Sequence, residues 1–196
     1  MKLLFLSDKE SPFLWDYYSA GKLDGIDLML SCGDLKANYL SFLVTMGHCP
    51  LLYVCGNHDI SYSSVPPEGC DCIEDKVIVY KGLRILGLGG SRKYSGTINQ
   101  YTERQMAWRL WKVEHKIKKV GGIDIMLTHA APRNYGDSDD FAHLGFDVFL
   151  PFLDKWQPKY LVHGHVHMNY GHDIPRITNY NNTTIINAYE RYTLEL

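Results

Sequence analysis

Runs of apolar residues recur along the chain, and most stop abruptly at a polar or glycine-bearing point. Leu3–Asp8 reads LLFLSD, Ile26–Asp34 reads IDLMLSCGD, and Pro50–Asp59 reads PLLYVCGNHD. Leu83–Ser91, Ile123–Ala130 and Lys159–His167 repeat the form as LRILGLGGS, IDIMLTHA and KYLVHGHVH. Apolarity that is continuous rather than alternating marks strands buried on both faces, so these segments predict sheet covered by other layers.

Helical spacing lies between several of them. Lys36–Gly47 (KANYLSFLVTMG) places Leu40, Leu43, Val44 and Met46 on one side and stops at Gly47. In YTERQMAWRLWKVEHKIKKV, Thr102 followed three residues later by Gln105 is a capping-box signature. Met106, Leu110, Val113 and Ile117 then continue at helical spacing, and Lys116, Lys118 and Lys119 suit the negative pole of the helix dipole. These lysines read as a solvated face rather than a binding patch. A third helix is expected over Phe146–Lys155, before Pro158, and the tail ITNYNNTTIINAYERYTLEL reads as two strands around an Asn-rich turn. With no repeat, linker or composition break, 196 residues that are 45% hydrophobic predict a single α/β domain over residues 1–196.

Composition narrows the partners. Aromatic residues at 13% argue against disorder. A formal net charge of -2 offers no basic face for a membrane surface or a long nucleic acid. The apolar stretch in MKLLFLSDKE is too short for a signal peptide, and no segment approaches the roughly 20 apolar residues of a membrane span. A cytoplasmic protein is the expectation. Cys32 and Cys55 sit inside apolar runs as small hydrophobes. Cys70-Asp71-Cys72 has no second pair for a zinc site, so no metal-thiolate centre or disulfide framework is expected.

The strand ends carry the chemistry. The first delivers Asp8 and Glu10, the second Gly33-Asp34, and the third Gly56-Asn57-His58-Asp59. Later ones deliver Thr128-His129 and His163-Gly164-His165-Val166-His167. Ligands of α/β sheets collect outside the carboxyl ends of the strands, so these groups should converge. Carboxylates brought together in this way repel unless protonated or neutralised, and divalent cations remove that cost. Asp8, Glu10, Asp34, Asn57, His129, His165 and His167 are too many donors for one tetrahedral zinc. They suit two metals about 3.5–4 Å apart that share a carboxylate, an arrangement that clamps both oxygens of a phosphoester displacement.

In this order the segments resemble the calcineurin-like metallophosphoesterase superfamily, whose signature runs D-x-H, G-D, G-N-H-D/E, a lone His, and G-H-x-H. Here it reads Asp8-Lys9-Glu10, Gly33-Asp34, Gly56-Asn57-His58-Asp59, His129 and Gly164-His165-Val166-His167. HLGF at His143 and GHVHMNYG from Gly164 to Gly171 are most similar to the small class III cyclic-nucleotide-phosphodiesterase-like branch. The resemblance implies a two-sheet β-sandwich flanked by helices. It implies a first metal held by Asp8, Glu10, Asp34 and His167, and a second held by Asp34, Asn57, His129 and His165, with Asp34 bridging. It further implies attack by a metal-bridging hydroxide, with His58 as general acid to the leaving group and Asp59 orienting its ring.

Glu10 departs from the family histidine. A carboxylate is a harder donor, so Mn²⁺ or Fe is favoured there, with Zn²⁺ or Mg²⁺ as alternatives; the bland reading is that Glu10 turns outward. His163 reads as a core histidine beside the site. His143, before Leu144-Gly145, is a candidate substrate contact. Arg92 and Arg133 are candidates to neutralise a phosphate, or else ordinary surface arginines. Asp137, Asp139 and Asp140 form an acidic loop that supports neighbours, restricts anionic substrates by repulsion, or is simply solvated. His48, His115 and His172 read as surface or packing residues, and GLGGS lacks the full glycine pattern of a nucleotide loop. The expected activity is hydrolysis of a small phosphoester, with diesters favoured over monoesters. The rival is a scaffold that keeps the fold without useful turnover. Oligomeric state is not legible.

Overall fold

Successive residues of the buried strands face two different cores, which is why their apolar runs do not alternate. In β1 (Lys2–Ser7), Leu3 and Phe5 join one cluster while Leu4 and Leu6 join another. The computed structural model describes residues 1–168 and 175–196; His172 and the end of the GHVHMNYG stretch lie outside the described residues.

The first sheet contains β1, β2 (Leu28–Ser31), β3 (Leu51–Tyr53) and β4 (Asp71–Cys72), all parallel. The second is built from β5 (Lys76–Tyr80), β6 (Leu83–Leu88), β9 (Ile125–Thr128), β10 (Tyr160–His163), β11 (Ile177–Tyr180) and β12 (Thr183–Asn187). Its order is β11-β12-β10-β9-β6-β5, with the four inner strands parallel and both edge strands antiparallel. The short β7 (Ser91–Arg92) and β8 (Gln100–Tyr101) pair with each other. β13 (Glu190–Glu195) returns to the first sheet, antiparallel to β1.

The two sheets pack face to face. Leu3, Phe5, Leu28 and Leu30 of the first meet Ile85, Ile125, Leu127, Val162 and Ile186 of the second. On the outer face of the first sheet, α1 (Ala37–Gly47) buries Tyr39, Leu40 and Leu43 against Leu4, Leu6 and Met29. On the outer face of the second, α2 (Glu103–Val120) buries Met106, Leu110, Val113 and Ile117 beside Phe149, Phe152 and Leu153 of α3 (Phe149–Trp156). This is the two-sheet α/β architecture flanked by helices that the motif order implies.

Local signals held where side chains close their own bonds. Thr102 and Gln105 form a complete capping box, and Gly121 ends α2 in the left-handed conformation. Met46, expected to face inward, is 39% exposed, because α1 turns Tyr39 rather than its last turn into the core. α3 begins three residues later than expected, since Phe146 exchanges backbone hydrogen bonds with Ala131 and Arg133 instead of starting a helix. The tail makes three strands rather than two, the last of them β13.

Candidate metal centre

The carboxyl ends of β1, β2, β3, β9 and β10 meet at one rim. Asp8 follows β1, Asp34 lies three residues beyond β2, and His165 lies two beyond β10; all three have positive φ, at 64°, 57° and 68°. Non-glycine residues hold this strained conformation only where the surroundings over-determine it. Here the Asp8 carboxylate accepts the backbone N–H of His165 at 3.0 and 2.9 Å. Asp34 Oδ1 accepts the His58 N–H at 2.7 Å. Carboxylates lie so close to backbone that two glycines are obligatory. A Cβ at Gly56 would sit 2.0 Å from Asp34 Oδ1, and one at Gly164 would sit 2.5 Å from Asp8 Oδ2 and 1.8 Å from Ser7 Oγ.

Lone pairs converge at the centre of this rim. His129, fully buried, has Nδ1 2.8 Å from the Cys32 carbonyl, so that nitrogen must donate. Its Nε2 then faces Asn57 Oδ1 at 2.9 Å and Asp34 Oδ2 at 3.3 Å. In a neutral ring, that is three acceptors pointed at one another, which only a proton or a metal between them resolves. Asp34, His129 and His165 can bring one donor atom each within 4.8 Å of one another. His165 donates from Nε2 to the Ala142 carbonyl at 2.9 Å, leaving Nδ1 as its lone-pair nitrogen. The donor set therefore fits a divalent cation.

Proton affinities follow the same geometry. Burial opposes a charge on His129, but Asp34 and Asp8 outweigh it and raise the ring to about 9. Burial would raise Asp34, yet His129 pulls it down to about 2. Asp8, its side chain only 1% exposed, is raised by desolvation despite His129 and Ser7. Burial drives His165 down to about 3 and His163 down to about 4. His163 Nδ1 donates to the Gly164 carbonyl at 2.9 Å, as a buried neighbour of the site.

The remaining candidates divide. His167 Nε2 stands 3.8 Å from Asp8 Oδ1. A cavity of about 400 Å³ opens over Asp8, Asp34, His165 and His167, and His58, Tyr94 and His143 line its wall. His143 packs against His165 in a tilted ring contact, with centroids 4.8 Å apart, and is held by the Asp140 carboxylate at 2.7 Å. Glu10 does not line this cavity. Its carboxylate accepts the Lys36 backbone N–H at 3.4 Å and lies 3.7 Å from Lys36 Nζ, at the start of α1.

Asp59 is not hydrogen-bonded to the His58 ring among the described residues. Its Oδ2 accepts the backbone N–H of Asp34 at 2.8 Å and of Gly56 at 2.7 Å, which ties the loops after β2 and β3 together. Burial and the nearby Asp34 raise it to about 6. Neither expected phosphate partner faces the cavity. Arg92 sits between Glu103, Asp147 and the Gly145 carbonyl, and Arg133 is paired with Asp137 and Asp139. His48 and His115 are exposed. A larger hollow of about 660 Å³ along α2, lined by Trp111, Lys112 and Lys116 among others, contains none of the candidate ligands.

The family model of the calcineurin-like phosphoesterases (Metallophos) matches residues 9–169. The chain belongs to this family. The match is to the family as a whole and singles out no branch of it. One solved structure superposes with a TM-score of 0.71 at 14% identity, over 98% of this chain and 94% of that one. TT1561 of Thermus thermophilus superposes with a TM-score of 0.63 at 13% identity, over 96% and 89%. At these identities the likeness is one of fold. No curated protein sequence matches the chain.

As a calcineurin-like phosphoesterase the protein falls among phosphoester hydrolases that usually bind divalent metals, and Asp34, His129 and His165 form a possible metal-binding group. No helix among the described residues is long and apolar enough to cross a membrane. Tyr94 is a site residue that no sequence signal exposed, since SRKYSG carries no motif. Its hydroxyl accepts from Asn57 Nδ2 at 3.0 Å. Because His129 keeps its proton to about pH 9 in the metal-free protein, loading at pH 7 should release about one proton per chain from this site. Affinity should therefore weaken as pH falls. Calorimetric titration with Mn²⁺ in buffers of different ionisation enthalpy measures that proton directly.

Proposed function

We propose that the protein is a metal-dependent phosphodiesterase acting on small monoanionic phosphodiesters. The convergence of Asn57 Oδ1 and Asp34 Oδ2 on His129 Nε2, at 2.9 and 3.3 Å, carries this reading, because once the ring gives up its proton these three acceptors form a seat for a cation. Asp34, Asn57, His129 and His165 would hold one ion, and Asp8, Asp34 and His167 the other, with Glu10 as its fourth donor; Mn²⁺ or Fe is favoured. When bound, the pair supplies charge neutralisation at the phosphoryl oxygens and lowers the proton affinity of water beside the ester.

The residues of the chain supply the rest. His58 lines the cavity with its ring exposed and is placed to give a proton to the departing alkoxide. Asp59 positions that histidine through the loop it clamps rather than through the ring. Among the described residues no arginine or lysine lines the cavity, so beyond the two ions the chain offers no positive charge to a phosphoryl group. A diester with one negative charge is accepted there more readily than a monoester dianion, which would need a further cation. Metal content and Mn²⁺-dependent hydrolysis of bis-p-nitrophenyl phosphate test the proposal; a chain that binds Mn²⁺ yet gains no turnover would overturn it in favour of a non-catalytic binding protein.

Little restrains Glu10 where it lies. Its partner Lys36 is 76% exposed, and such a surface ion pair contributes only about 0–1 kcal/mol. Glu10→Ala should therefore leave α1 intact while lowering metal stoichiometry from two ions to one. Elemental analysis of the purified variant decides this, and an unchanged stoichiometry would make Glu10 simply an anion at the start of α1.

A further inference from the structure

Asn57 can serve as a metal donor only through Oδ1, and a carboxamide turned over would offer N–H instead. What fixes its sense is outside the recognised motifs. Nδ2 donates to the Tyr94 hydroxyl at 3.0 Å, while Oδ1 faces His129 at 2.9 Å. The segment carrying Tyr94 is itself clamped from within. Gln100, only 8% exposed, accepts the backbone N–H groups of Tyr94, Ser95 and Gly96 at 3.2, 3.0 and 3.0 Å through one Oε1. Its Nε2 donates to Ser95 Oγ at 2.8 Å and Thr97 Oγ1 at 2.9 Å. The neighbouring Asn99 donates to the Gly56 carbonyl at 3.0 Å, so the same segment also braces the residue before Asn57.

A surface loop with no role gains little from satisfying a buried glutamine five times over. Ordering a loop costs backbone entropy at every residue it fixes, and here that ordering ends in one phenolic oxygen on the Asn57 amide. Outer partners of this kind set ligand orientation and typically change metal affinity by about 10–100-fold.

We propose that Tyr94 is a positioning residue of the metal centre, held by Gln100 so that its hydroxyl locks Asn57 with Oδ1 toward the ion. The inference rests on the proposed function, since it assumes that Asn57 binds metal. Tyr94→Phe keeps the ring and removes the acceptor. It should weaken Mn²⁺ binding at one of two sites by about tenfold in calorimetric titration without substrate, and leave the melting temperature of the metal-free protein within a few degrees of wild type. Gln100→Leu, which releases the loop without touching Asn57, should weaken the same site in the same direction. Wild-type protein that loads Mn²⁺ while Tyr94→Phe loads it equally well would overturn the role of Tyr94 and leave the phosphodiesterase reading standing. Wild-type protein that binds no divalent ion would overturn both.

Discussion

Asp34→Asn is expected to reduce the bound metal from two ions to one or none and to lower turnover by well over about 10²-fold. The substitution is nearly isosteric, so the loop should survive: Oδ1 still accepts the His58 N–H that now lies at 2.7 Å. What changes is charge at the oxygen 3.3 Å from His129 Nε2. Two divalent ions a few ångströms apart repel strongly, and a shared carboxylate is the group that offsets this. Removing an outer partner of a metal ligand already costs about 10–100-fold, so losing the proposed bridge must exceed that.

The same variant should alter the metal-free protein in a pH-dependent way. Asp34 contributes to holding His129 at about 9, above its ordinary 6.5, so the protonated pair stabilises the fold fully below about pH 6.5. That contribution is lost as pH rises through about 9. Melting temperatures of wild type and Asp34→Asn, both stripped of metal, should therefore differ most near neutral pH and approach one another above pH 9. A constant difference across that range would show that the two residues are not an ion pair.

The residues that read most clearly in the sequence are those whose chemistry has no bland use at a strand end. Asp34, Asn57, His129 and His165 announce themselves because each follows an apolar run, and the sheets bring those run ends to one rim. The covering layers were equally legible, since Leu3 to Leu6 must satisfy two cores at once. Other features depend on contacts that spacing does not encode. Asp59 reads as a partner of His58 because it is adjacent, but its carboxylate turns to the amides of Asp34 and Gly56. Arg92 and Arg133 follow strands and read either as phosphate partners or as surface arginines, and only the structure shows that acids from α2 and from the loop after β9 pair with them. Tyr94 gave no signal at all, because its role comes from a loop closed by Gln100 rather than from a motif.

His58→Ala should separate leaving-group chemistry from metal binding. The main-chain bond from residue 58 to Asp34 persists in alanine, so the ligand loop and the metal content should stay as in wild type. The imidazole makes no hydrogen bond among the described residues and faces the cavity, which suits proton transfer to a bound ester rather than a structural task. A general acid matters in proportion to the basicity of the departing oxygen. Alkyl diesters should therefore lose about 10²–10⁴-fold in turnover. Aryl diesters should lose less than about tenfold, because p-nitrophenolate departs without a proton. Comparing the two substrates in wild type and variant at saturating Mn²⁺ measures the difference. Equal losses on both would assign His58 to holding the phosphoryl group and not to protonating the leaving group; full turnover on the alkyl ester would remove it from the reaction altogether.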